Sequence, residues 1–127
     1  MILVLDDDPV RHDWFTRSFE DVVHVWTVPE MIAQLELGDE VRVIFLDHDL
    51  GTEPAVGRDV ARWLIAHPER HPKASIIVHS VNVVSGPKIS RELRDAGRVA
   101  LWRPFPELQE EMGASAWLMS PPHSTLP

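Results

Sequence analysis

The stretch Val41-Arg42-Val43-Ile44-Phe45-Leu46-Asp47-His48-Asp49-Leu50-Gly51 decides how this chain is read. As far as Leu46 it is short, apolar and rich in β-branched and aromatic residues, with one charge near its start. That is the pattern of a buried strand. The chain then changes character. Two carboxylates bracket an imidazole, and a leucine and a glycine close the turn. A parallel strand that ends in acids at its C-terminal edge is where open α/β sheets place their chemistry.

Working outward, Ile2 to Leu5 is another buried-strand run, followed at once by Asp6-Asp7-Asp8 and Pro9. Proline suits the first turn of a helix, and an acid just before it can cap. Val10, Trp14, Phe15, Phe19 and Val22 form a helical stripe, and Val22, Val23, Val25 and Trp26 a second short strand. Pro29 opens a second helix with Met31, Ile32 and Leu35 inward and Gly38 as its stop. After the Val41–Leu46 strand, the glycines and proline of Gly51–Gly57 predict a loop. A third helix follows from about Arg58, with Val60, Ala61, Leu64 and Ile65 inward, and breaks near Pro68. Ile76-Ile77-Val78 is the fourth strand, ending in His79-Ser80-Val81-Asn82. Gly86-Pro87 introduces a helix with Ile89, Leu93 and Ala96 on one face, closed by Gly97. Val99 to Trp102 is the fifth strand, ending in Arg103-Pro104-Phe105, and a last helix is expected over Glu107 to Met119. The β-α alternation predicts an α/β fold: a parallel sheet with helices on both faces and right-handed crossovers. One domain is expected over residues 1–120, with 121–127 as a flexible proline-rich tail.

The totals restrict the function. The chain has 127 residues, room for one core, with 44% hydrophobic and 25% charged residues. No apolar run approaches the roughly 20 residues that span a bilayer. No cysteine is present, so disulfide and thiolate chemistry are excluded. The absence of cysteine and of a signal-like N-terminus fits a cytoplasmic protein, and no membrane partner is expected. A formal charge of −8, with Lys73 and Lys88 the only lysines, disfavours duplex DNA. A small phosphorylated ligand held through a metal ion remains compatible with that charge.

In such a sheet the C-terminal strand ends converge. They bring together Asp6, Asp7 and Asp8 from the first strand, Asp47, His48 and Asp49 from the third, Ser80 and Asn82 from the fourth, and Arg103 from the fifth. Carboxylates this close repel unless a cation or proton intervenes. All-oxygen donors favour a hard divalent ion, Mg²⁺ or Mn²⁺. The competing reading of the Asp6–Asp8 run is helix capping, which accounts for Asp8. Strand alternation places Asp47 with Asp49 and His48 opposite, and Ser80 with Asn82 and His79 opposite, so that the two imidazoles could meet. The competing reading of His79 is a packed, hydrogen-bonded core residue. His12, His24, His67, His71 and His123 show no ligand spacing and are expected on the surface.

These residues resemble a receiver domain, the phospho-acceptor module of response regulators, over nearly the whole chain to about Phe105. The resemblance implies a flavodoxin-like sheet of order 2-1-3-4-5. It makes Asp6 and Asp7 metal-binding acids, Asp47 the phospho-acceptor position and Ser80 the hydroxyl position. It also aligns Arg103-Pro104-Phe105 with a Lys-Pro-Phe motif. Two positions depart from it: Arg103 replaces the lysine, and Ala100 stands at the aromatic switch. The motifs Leu46-Asp47-His48-Asp49-Leu50-Gly51, Gly57-Arg58-Asp59-Val60 and His79-Ser80-Val81-Asn82 resemble a narrower group, the cyclic-phosphate processing receiver domain.

Two functions follow from the resemblance. The first is a metal-dependent phosphoesterase acting on cyclic phosphates of nucleotides or RNA ends. Asp6, Asp7 and Asp47 would hold Mg²⁺ or Mn²⁺, and His48 and His79 would exchange protons beside Asp47 and Asp49. Ser80, Asn82 and Arg103 would hold the phosphate, in a monomer or homodimer. The second is a stand-alone divergent receiver, phosphorylated on Asp47 or used to bind a protein. The added histidines and the missing lysine and switch aromatic favour the first.

Overall fold

A computed structural model of the chain describes residues 1–48 and 57–114. Five strands alternate with five helices: β1 Ile2–Leu5, α1 Pro9–Ser18, β2 Val22–Val25, α2 Val28–Glu36, β3 Val43–Leu46, α3 Gly57–Ala66, β4 Ser75–Val78, α4 Ser85–Asp95, β5 Val99–Trp102 and α5 Phe105–Ala114. All strand pairs are parallel, in the order β2-β1-β3-β4-β5. This is the predicted flavodoxin-like, receiver-like arrangement. The expected continuation of the last helix to Met119 and the 121–127 tail lie outside the described residues. Among the described residues no helix is long and apolar enough to cross a membrane.

Local sequence accounts for the helix starts. Asp8 caps α1, its carboxylate accepting from the Val10 N–H at 2.8 Å, with Pro9 at the first helical position. Thr27 caps α2: Glu30 N–H donates to Thr27 Oγ1 at 3.3 Å, and the Thr27 hydroxyl donates in turn to Glu30 Oε1 at 2.9 Å. That helix ends at Glu36, with Leu37 extended, so Gly38 lies beyond the cap rather than forming it. Gly97 does close α4, at φ +89°, a left-handed conformation that favours glycine. Behind it, the buried Arg98 guanidinium donates to the carbonyls of Leu64, His67 and His71, tying the end of α3 and the following turn to the start of β5.

The three central strands β1, β3 and β4 are buried on both faces, so each contributes to two cores. Leu3, Leu5, Ile44, Leu46, Ile76 and Val78 face α2, α3 and α4. Ile2, Val4, Val43, Phe45 and Ile77 face α1 and α5, against Phe15, Phe105 and Leu108. Three expectations are corrected. Val10 is 73% exposed, because the inward face of α1 runs through His12 and Phe15 instead. Ala96 is exposed, lying just past the end of α4. Trp26 falls outside β2 and is also exposed.

Candidate metal and phosphate site

The register builds the site. Leu5 pairs with Leu46, and Leu46 with Val78. One residue further on, Asp47 N–H donates to Leu5 O at 3.0 Å and His79 N–H to Leu46 O at 2.9 Å, so the ladder continues. Asp6, Asp47 and His79 therefore lie in one row across three neighbouring strands. Period-2 alternation turns all three towards α1 and α5, the side that holds Val4, Phe45 and Ile77. Cross-strand registration thus makes Asp47, rather than His48, the neighbour of His79. Alternation within each strand alone had grouped the two histidines.

All three side chains are buried, with Asp6 and His79 at 0% exposure and Asp47 at 3%. His79 Nε2–H donates to Asp6 Oδ2 at 2.7 Å. Its Nδ1 is buried without a hydrogen-bond partner, and its ring packs against Phe15, Phe45 and Phe105. Burial pushes the imidazole below its ordinary pKa, against the pull of Asp6. Burial alone would raise the Asp6 carboxyl. The His79 hydrogen bond and charge, the Asp8 N–H at 2.9 Å and the Arg11 guanidinium outweigh it and hold Asp6 below the usual carboxylate range. A neutral imidazole donating to an ionised carboxylate suits both groups at that contact and leaves the His79 Nδ1 lone pair unpartnered.

Arg11 is the residue that motif reading missed. Its Nη1 lies 3.4 Å from Asp47 Oδ2 and 3.6 Å from Asp6 Oδ2, and its Nε lies 3.7 Å from Asp8. Its guanidinium carbon sits 5.5 Å from the centre of the Phe105 ring. A signal for it was present. A cation in the first turn of a helix opposes the helix dipole and needs an acid nearby to account for it.

The other expected site residues are distributed around this row. Asp7 is exposed beside it, and Asp8 is committed to capping. His48 is half-buried at the end of β3, its carbonyl accepting from the Gly57 N–H at 3.2 Å. Ser80 is buried and its Oγ accepts from the Asn82 N–H, while Asn82 Oδ1 accepts from the N–H groups of Val84 and Ser85. Both side chains shape the β4–α4 turn. Arg103 is paired with Glu111 at 3.0 Å, a carboxylate that a bound phosphate would have to displace. Asp49 lies outside the described residues. The expected surface position of His12 is corrected: it is 4% exposed. His67 and His71 are half-buried, bonded to the carbonyls of Trp63 and Leu35.

The ligand atoms of Asp6, Asp47 and His79 all lie within 4.8 Å of one another, so this buried group could bind a metal ion. The donor set fits. Two carboxylates share one cationic side chain between them, and oxygen donors suit a hard cation.

The fold and site define a receiver-like protein. The family model of the cyclic-phosphate processing receiver domain matches residues 1–95, and the chain belongs to that family. No curated protein matches the sequence. Among solved structures, the chain is similar to a response regulator from Burkholderia pseudomallei (17% identity, TM-score 0.63, covering 88% of this chain and 68% of that one), crystallised with a phosphorylated aspartic acid, calcium ion and citrate. It is also similar to a response regulator receiver protein from Pseudomonas putida (20% identity, TM-score 0.63, covering 88% and 93%). A third similar structure is an adenylate cyclase from Rhodopirellula baltica (21% identity, TM-score 0.61, covering 89% and 84%). At these identities the likeness is one of fold.

Proposed function

We propose that this protein is a metal-dependent phosphoesterase that opens cyclic phosphates of nucleotides or RNA ends. The observation that carries the proposal is the buried Asp6–His79 hydrogen bond beside Asp47, which builds an imidazole into the acid cluster. The family description points the same way. Asp6 and Asp47, with Asp7 at the rim, would hold the cation. Mg²⁺ or Mn²⁺ bound there would supply charge neutralisation at the phosphoryl oxygens and acidify water.

The chain's own residues then divide the work. His79 has no access to solvent, so it acts through Asp6, keeping that carboxylate ionised and aimed. His48 is half-buried at the end of β3, next to Asp47, and takes the proton of the attacking water. The water oxygen bonds to phosphorus, one ring P–O bond breaks, and the proton on His48 passes to the leaving sugar oxygen. Arg11 and Arg103 offer guanidinium groups to the phosphate oxygens, Arg103 after releasing Glu111. Ser80 and Asn82 fix the turn that borders the phosphate.

The test is turnover of 2′,3′-cyclic nucleotides and cyclic-phosphate-ended RNA with Mg²⁺ or Mn²⁺, by wild type and by Asp47→Asn. Turnover lost in the variant supports the proposal. The alternative is a divergent receiver, phosphorylated on Asp47 or acting as a protein-binding module. It is favoured by the place of Asp47 at the end of β3 and by the fold shared with a regulator carrying a phosphorylated aspartic acid. Stoichiometric, Asp47-dependent beryllofluoride binding without turnover would establish that reading instead.

A further inference from the structure

His12 and His24 form a second cluster, on the far side of the Asp6 backbone from His79. Their Nδ1 atoms face each other at 2.6 Å. His12 Nε2 lies 2.8 Å from the carbonyl oxygen of Asp6. A carbonyl only accepts, so this nitrogen carries the ring's proton. His24 Nε2 lies 2.8 Å from Thr16 Oγ1. With the hydroxyl proton of Thr16 on the His12 carbonyl at 3.1 Å, His24 Nε2 is the donor there. A neutral imidazole has a single N–H. In that tautomer both Nδ1 atoms present lone pairs, and two lone pairs at this distance repel unless a cation lies between them.

A proton would make one ring an imidazolium. His12 is 4% exposed, with Trp26 over one face of its ring at 3.9 Å between centres. Burial and the neighbouring His12 push the His24 imidazole below its ordinary pKa. A metal ion places its charge at the Nδ1 atoms and uses the two Nε2–H groups as they already stand. An imidazole anchored through its other N–H to a carbonyl or hydroxyl is the usual outer arrangement of a metal-ligating histidine.

We propose that His12 and His24 form a second metal site, in which both Nδ1 atoms ligate one imidazole-preferring transition-metal ion, Zn²⁺ or Cu²⁺. In a tetrahedral shell two nitrogens at about 2.0–2.1 Å from zinc stand roughly 3.3 Å apart. The rings must therefore separate by ~0.7 Å. His24 is half-buried on the edge strand β2 and can give that distance. Water completes the shell. The bound ion cross-links α1 to β2 and, through His12 Nε2–H, secures the Asp6 carbonyl where the acid row begins. The site is chemically distinct from that row, because imidazole nitrogen selects Zn²⁺ or Cu²⁺ over Mg²⁺. The inference does not depend on phosphoesterase activity.

The test titrates the full-length chain with Zn²⁺ alone, by calorimetry, in an Asp47→Asn background that weakens the acid row. Adding His24→Gln should lower Zn²⁺ affinity by about tenfold or more. His24 is used because His12 is buried and its replacement puts folding at risk. In the Asp47→Asn protein, ¹⁵N spectra of the imidazoles should show Nδ1 of both rings becoming metal-bound as Zn²⁺ is added. Cu²⁺ should quench Trp fluorescence through the Trp26–His12 stack, and Trp26→Phe should remove that component. Equal Zn²⁺ affinity with and without His24 would overturn the proposal, as would a proton shared between the two Nδ1 atoms that persists in excess Zn²⁺.

Discussion

Arg11 reaches both Asp6 and Asp47 from the first turn of α1, so the carboxylate row already has a cation of its own. A divalent ion must compete with that guanidinium for the same oxygens. Arg11→Ala should therefore raise Mg²⁺ affinity in calorimetry by up to about fivefold, the range expected for losing a partly exposed ion pair. Asp47→Asn should lower it. If turnover is observed, Arg11→Ala should also raise KM, because the same guanidinium offers charge to the phosphate. The two histidines differ in their surroundings and should differ in their variants. His79→Ala removes the partner of a buried carboxylate and is expected to destabilise the fold by about 1–3 kcal/mol in urea melts. His48→Ala should instead lower kcat by roughly 10²- to 10⁴-fold with a smaller loss of stability. The reverse pattern would move the proton transfer from His48 to His79.

At the scale of elements, the close approach of α3 to the end of β3 rests on Gly57. A Cβ at that position would run into the backbone carbonyl of Asp47 and crowd the His48 Cα at 3.2 Å. The Gly57 N–H also donates to His48 O, fixing the two segments together. Gly57→Ala should destabilise the protein by roughly 1–3 kcal/mol, as overpacking does. It should also weaken Mg²⁺ binding, because the displaced backbone carries Asp47. Thermal melts and calorimetry on the one variant check both, and a neutral result in both would remove Gly57 from the account of the site. Next to it, Arg58 Nη2 pairs with Glu92 Oε1 at 2.9 Å and ties α3 to α4. The family motif Gly57-Arg58-Asp59-Val60 thus has packing reasons: close approach at Gly57, an interhelical pair at Arg58 and a core contact at Val60.

Across the whole molecule, the buried His79–Asp6 pair couples stability to pH. The folded pKa of His79 is depressed, so between about pH 6.5 and its folded value the unfolded chain binds the additional proton. Stability therefore falls as the pH falls below about 6.5. The depressed Asp6 carboxyl has the same sign at lower pH: its contribution is present above about pH 3.9 and is lost as the pH falls through its folded pKa. Urea midpoints in the presence of a chelator should decline from about pH 7.5 to about pH 5.5, and His79→Gln should flatten that decline. The alternation of apolar runs with helical stripes determined the five-stranded α/β fold from the sequence. The acids that follow Leu5 and Leu46 marked the edge that carries the site, because strand period and caps are local properties. Local patterns carry no information about register between strands distant in sequence. Hydrogen bonds from Asp47 to Leu5 and from His79 to Leu46 decided that His79 meets Asp6. Arg11 entered the carboxylate row, and His12 met His24, for the same reason: packing α1 on the sheet brings together side chains whose sequence neighbours give no sign of the contact.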